Sequence, residues 1–103
     1  MKRYIEEREI QARFLLAYFL YGRVKYGSSG YSEERLARLS AYKSVMNLYR
    51  PLAKEERRVK SERLLYRFDL LHAEAEALEE GAFKRAFLET LAQSDPRRRW
   101  PGS

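Results

Sequence analysis

The chain contains no cysteine, so it can form neither a disulfide framework nor a thiolate metal site. That suits a reducing compartment. Its single histidine, His72, removes any metal site built on His or Cys. No catalytic constellation and no cofactor-binding motif stands out. Proline and glycine are scarce, at three and five residues, and fall at points of punctuation. No run alternates apolar and polar residues as a half-buried strand would, so no strands are expected. Internal repeats and low-complexity segments are absent. Long hydrophobic runs are also missing. The longest, Phe14 to Tyr21, has eight residues, whereas a bilayer span takes roughly 20. Met1 leads into Lys2, Arg3, Glu6, Glu7, Arg8 and Glu9 with no apolar segment of a secretory signal. These absences lead to the expectation of a cytoplasmic protein without a membrane partner.

At 103 residues the chain has the length of one small domain with a modest core. What it has in excess is positive charge: 21 Lys and Arg against 15 Asp and Glu, a net +6. The excess is uneven. Residues 1–50 carry ten bases and five acids, residues 51–71 six and four, and residues 81–103 five and two, whereas residues 72–80 carry four Glu and no base. Such a balance favours anionic partners: nucleic acid, an acidic protein face or anionic lipid.

The organising stretch is Phe14-Leu-Leu-Ala-Tyr-Phe-Leu-Tyr21. With no polar residue on any side, it reads as a helix walled in by its neighbours. The first helix is expected over Arg3 to Tyr26, with Gly22 costing about 1 kcal/mol against Ala in its interior and Gly27 a left-handed terminator. The second starts at Ser32, whose hydroxyl can cap free N–H groups. Glu33 and Glu34 suit the positive end of the dipole there, and Tyr31 and Leu36 are spaced as a hydrophobic staple. Pro51 should end or kink it at Arg50. The third is expected from Leu52 to Glu80, ended by Gly81, and the fourth from Ala82 to Gln93. The fold class is therefore all-α: a compact bundle of four helices of unequal length in one domain, residues 1–95, with a flexible basic tail over residues 96–103. The expected core is Phe14, Leu15, Leu16, Phe19, Leu20, Leu36, Leu39, Met46, Leu64, Phe68, Leu71, Leu78, Phe83, Phe87 and Leu91.

Four patterns bear on function. On a continuous third helix, Arg57, Lys60, Arg63 and Arg67 fall within a sector of about 120° and form a ridge suited to phosphates. The alternative is a solvated face with local pairs such as Glu56 and Lys60. On the same helix Leu52, Val59, Tyr66 and Ala73 recur every seven residues. The companion seam positions are Glu55, Glu62, Asp69 and Glu76, which argues against a simple zipper. The tail adds Arg97, Arg98 and Arg99. Eight tyrosines include Tyr21 and Tyr26 beside Arg23 and Lys25, a patch suited to stacking on single-stranded bases or to a protein interface.

Three further motifs are present. Glu33 to Leu52 partly fits a helix-turn-helix, but Ser40, Asn47 and Arg50 occupy places that need apolar residues, and one continuous helix is the better reading. Arg67 and His72 form an Arg-x4-His spacing that resembles the active-site motif of the HEPN ribonucleases, small all-helical proteins. The resemblance covers two residues and would imply RNA cleavage, usually across a dimer. Leu48-Tyr49-Arg50 is similar to the tripeptide of the mitochondrial LYR adaptors, where it lies in a first helix rather than at the end of a second. The preferred expectation is a non-catalytic nucleic-acid-associated module that uses the Arg/Lys ridge and tail. The alternative is a helical adaptor or assembly subunit facing an acidic partner, with homo-oligomerisation open in either case. A HEPN-like ribonuclease is a distant third.

Overall fold

A computed structural model describes residues 3–27, 30, 32–55 and 58–98. Four helices pack together and make up 79% of those residues, so the all-α bundle holds. The element order is β1 (Tyr4–Glu6), α1 (Glu7–Gly27), α2 (Glu33–Glu55), β2 (Arg58–Lys60), α3 (Ser61–Glu76) and α4 (Ala82–Gln93).

The centre of the bundle is α2. It packs along α1 on one side and α4 on another. Ala37, Ala41, Val45, Leu48, Tyr49 and Leu52 are all buried. At 100° per residue they share a sector of about 120°. The alanines at one end leave room for a close helix neighbour, and the larger side chains fill the other. The start is capped as expected: Ser32 Oγ accepts the Arg35 N–H at 3.0 Å. The proposed Tyr31 staple lies outside the described residues.

Several boundaries differ from expectation. Pro51 neither ends α2 nor separates it from Leu52, and the helix runs on to Glu55. The missing Pro51 N–H removes one bond near the helix end. Leu52, fully buried on the core face, offsets that loss. The long third helix from Leu52 to Glu80 does not exist. Its first part belongs to α2, and residues 58–60 are extended. They pair antiparallel with β1 in the register Tyr4↔Lys60, Ile5↔Val59, Glu6↔Arg58. Strands are therefore present, and the first helix begins at Glu7 rather than Arg3. Ile5 and Val59, both β-branched and both buried, face each other at the centre of this ribbon. The Ser61 N–H donates to the Arg3 carbonyl at 2.8 Å and extends the pairing into the start of α3.

Two glycine assignments also change. Gly27 closes α1 without positive φ, which among the described residues is held by Gly30 (102°) and Gly81 (154°). Gly81 does not end α3, which stops at Glu76. It is instead the N-cap of α4, in a backbone region that only glycine enters easily.

The larger correction concerns α1. Its buried residues are Ile10, Arg13 and Ala17, and Phe14 packs half-buried beside them. Leu15 and Phe19, expected in the core, are exposed. Among the other expected core residues, Leu64, Phe68, Phe87 and Leu91 are buried. Met46, Leu71, Leu78 and Phe83 are half-buried against the core, and Leu16, Leu20, Leu36 and Leu39 are half-buried. The apolar run is thus wider than the surface α2 offers it, and only one side of α1 is covered.

In dilute solution, Leu52→Ala and Ile10→Ala should each lose about 2–5 kcal/mol in urea unfolding, the range for buried aliphatic truncation. Leu15→Ala, on the opposite side of α1, should change stability by less than about 0.5 kcal/mol. Equal losses at Ile10 and Leu15 would contradict this orientation of α1.

Candidate interaction surface

The residues singled out for phosphate binding do not form one ridge. Arg57 and Arg99 lie outside the described residues. Lys60 ends β2, so it is not in helical register with Arg63 and Arg67. Those two sit half-buried on α3, next to the exposed Tyr66 and Leu70. The seven-residue repeat from Leu52 to Ala73 is broken by the same strand. Arg97 is held to the body: its Nη2 donates to both Asp69 carboxylate oxygens, at 2.9 and 2.8 Å, and Nη1 lies 3.5 Å from Asp95 Oδ1. The fork to Asp69 raises the Arg97 pKa further, with Asp95 adding to it. Pro96 is buried, so the chain through Arg98 follows the surface of the bundle rather than leaving it at residue 96. Arg98 is exposed.

Lys25, Tyr21 and Tyr26 do come together, at the C-terminal end of α1, whereas Arg23 lies on another side of the helix, in a cleft with Arg38 and Tyr42. The Lys25 ammonium lies 5.7 Å from the Tyr21 ring centre and 5.5 Å from that of Tyr26. Arg35, which the sequence reading passed over, reaches across from α2. It donates to the Lys25 carbonyl at 2.8 Å and the Val24 carbonyl at 3.4 Å, satisfying the open end of α1. Beside it, this cleft of about 640 Å³ opens between the ends of α1, α2 and α4. Arg23, Arg35 and Arg38 line it, with Glu34 and Glu89 opposing them. Tyr42 forms part of the wall. Burial raises its pKa, partly offset by Arg38 and Arg23.

Arg13 is a buried base that the composition did not flag. It points into the α1–α2 seam beside Tyr49. Burial raises the Tyr49 pKa above its ordinary value of 10.0, and the nearby Arg13 guanidinium pulls it back in part. Lys84 is a second buried base, with its Nζ 2.7 Å from Glu80 Oε1 at the start of α4. That contact lowers the Glu80 pKa. The two residues of the HEPN-like spacing, Arg67 and His72, are both half-buried on α3. His72 Nε2 lies 3.8 Å from Glu76 Oε1. The helix-turn-helix stretch is one unbroken helix, and Leu48 and Tyr49 of the LYR-like tripeptide are buried within it.

The outer face of α1 is the most unusual surface. Leu15 is 61% exposed, Tyr18 60%, Phe19 59% and Tyr26 81%. With Gly22 they fall within a sector of about 100°, directly opposite Ile10, Arg13 and Ala17. Scattered exposed apolar residues are ordinary, whereas a contiguous stripe of large ones marks a contact surface.

No family model, curated protein or solved structure matches this chain. Among the described residues, no helix is long and apolar enough to cross a membrane. Nor do three or more His, Asp or Glu side chains gather there as a metal site.

A Tyr49 whose pKa is raised by folding contributes stability that is complete below the unfolded-state pKa and is lost as pH rises from there through the folded-state pKa. The parent should therefore lose more unfolding free energy between pH 9 and 11 than Tyr49→Phe does. Parallel pH profiles for the two would contradict the burial of this hydroxyl.

Proposed function

We propose that this protein is a non-catalytic helical interaction module, and that it meets its protein partner through the outer face of α1. One observation carries the reading: Leu15, Tyr18, Phe19 and Tyr26 form one exposed stripe on a helix whose other side is already buried against α2. A stripe of this kind with polar edges suits a helix or groove of matching apolar character. Aromatic residues at its centre suit the role of anchors, since they desolvate large areas at small entropic cost. Charge then steers the encounter rather than holding it, and the overall basic balance favours a partner with an acidic rim.

Nucleic-acid binding is the second reading, favoured by the gathering of Lys25, Tyr21 and Tyr26 at one end of α1, with Arg23 on the same end of the helix. Phosphates would meet the bases and single-stranded nucleobases the rings. It ranks lower because the ridge expected on α3 is interrupted and Arg97 is already engaged by two carboxylates.

A photo-crosslinking residue placed at Phe19 should give protein adducts in the producing cell, whereas one at Lys43, exposed on α2, should not. Adducts from neither position, or equally from both, would overturn the reading. For the second reading, affinity for a single-stranded oligonucleotide should fall with salt by about −0.7 in log–log slope per phosphate contact. Arg23→Gln combined with Lys25→Gln should flatten that slope by about 1.4. Absence of binding at low salt removes it.

A further inference from the structure

The outer face of α1 matches itself. We infer that its partner is a second copy of this chain, with the two α1 helices packed antiparallel about a two-fold axis near Ala17. This rests on the reading of that face as an interaction surface.

The first support is Gly22. It sits in the middle of the exposed stripe, in a helix where glycine is unfavourable. A Cβ built on Gly22 would meet nothing within 4 Å, so packing within one chain gives no reason for a glycine there. Close approach of a second helix does give one, because a missing side chain lets the two backbones draw together. Aligning the two copies so that Leu15 faces Phe19 sets Gly22 of each against Ala12 of the other. Small residues then oppose small ones and large oppose large. The same alignment brings Arg8, exposed on this face, to Tyr26 of the second copy, a pairing suited to a cation over an aromatic ring.

The second support is charge. The start of α1 is acidic, with Glu7 and Glu9 in its first turn, and its end is basic, with Arg23 and Lys25. Glu7 and Lys25 flank the stripe on one side, and Glu9 and Arg23 flank it on the other. An antiparallel pair brings Glu7 of each copy near Lys25 of the other and Glu9 near Arg23. A parallel pair would set Glu7 of each copy beside Glu9 of the other, and Lys25 beside Arg23. Orientation is therefore chosen by electrostatics, as at the flanking positions of coiled coils.

The third support is area. At about 150–250 Å² for a large side chain, the exposed fractions of Leu15, Tyr18, Phe19 and Tyr26 amount to roughly 500 Å² per chain. Two copies bury at most about 1,000 Å² from these four residues, near the lower limit of a specific interface, before Arg8, Gln11 and Ala12 add to it. The predicted dimer is thus reversible and concentration-dependent.

The native absence of cysteine allows a clean test. Ala12→Cys and Gly22→Cys chains, mixed and oxidised, should form a disulfide-linked pair containing one of each, and neither variant alone should do so efficiently. Sedimentation equilibrium of the parent should show a monomer–dimer equilibrium. Gly22→Leu should weaken it at least about tenfold without lowering the melting temperature of the dilute monomer, because its side chain points into open space. A parent that stays monomeric at all accessible concentrations overturns the inference. So does a preference for Ala12–Ala12 or Gly22–Gly22 linkage. Photo-adducts from position 19 at twice the chain mass support it. Adducts of another mass with a monomeric parent leave the interaction-module reading standing and remove only self-association. No adducts and no dimer remove both.

Discussion

The burial of one face of α2 is the constraint on which the rest depends. Ala37, Ala41, Val45, Leu48, Tyr49 and Leu52 are covered together, and covering them fixes where α1 and α4 lie. Burying such a row is worth roughly 1.5–3 kcal/mol for each large aliphatic side chain. That is enough to carry the helix through Pro51 to Glu55, because stopping at Arg50 would free Leu52. The strand pair follows from the same end of α2. The chain leaves it at Glu55 and returns through Val59, which closes over the core opposite Ile5.

A helix neighbour of α2 needs only one apolar side, and α1 has two. The side with Ile10, Arg13 and Ala17 is the buried one, and the side with Leu15, Tyr18 and Phe19 stays outside. The rejected side remains apolar at the surface, and that is where the functional reading comes from. The buried Arg13 belongs to the same choice: the inward side carries a base beside Tyr49, and the outward side carries the rings.

Much of the fold was legible in the sequence. The Ser32 cap, the whole of α4 and the all-α class follow from local signals that no tertiary contact overrides. The strands were not legible because Tyr4–Glu6 and Arg58–Lys60 are three residues each. That is too short for a period of two to stand out from a period of 3.6. The third helix was overextended because Pro51 is a strong local stop signal and the sequence holds no equally strong one at residues 56–60. The orientation of α1 was hidden for a different reason. An uncharged run gives no polar residue from which to read the outside, and charge, not size, was used to infer burial. Ile10, Arg13 and Ala17 lie at spacings of three and four, so the inward face was written there, but the equally spaced Leu15, Phe19 and Gly22 give the outward face the same period. Of the surface, the contact of Lys25 with Tyr21 and Tyr26 was legible because these residues are neighbours in sequence. The stripe was not, because an uncharged run puts Leu15 and Phe19 in the expected core and leaves only Tyr26 in the expected site.

The account's central claim is that the Leu15–Phe19 side of α1 faces outward in one chain and is covered only by another. Its most direct measurement is side-chain NMR with a soluble paramagnetic probe, across a dilution series. Signals of Leu15 and Phe19 should broaden strongly when dilute and become protected as concentration rises, while those of Ile10 stay protected throughout. Protection of Leu15 and Phe19 at every dilution would place them inside the monomer and contradict the account.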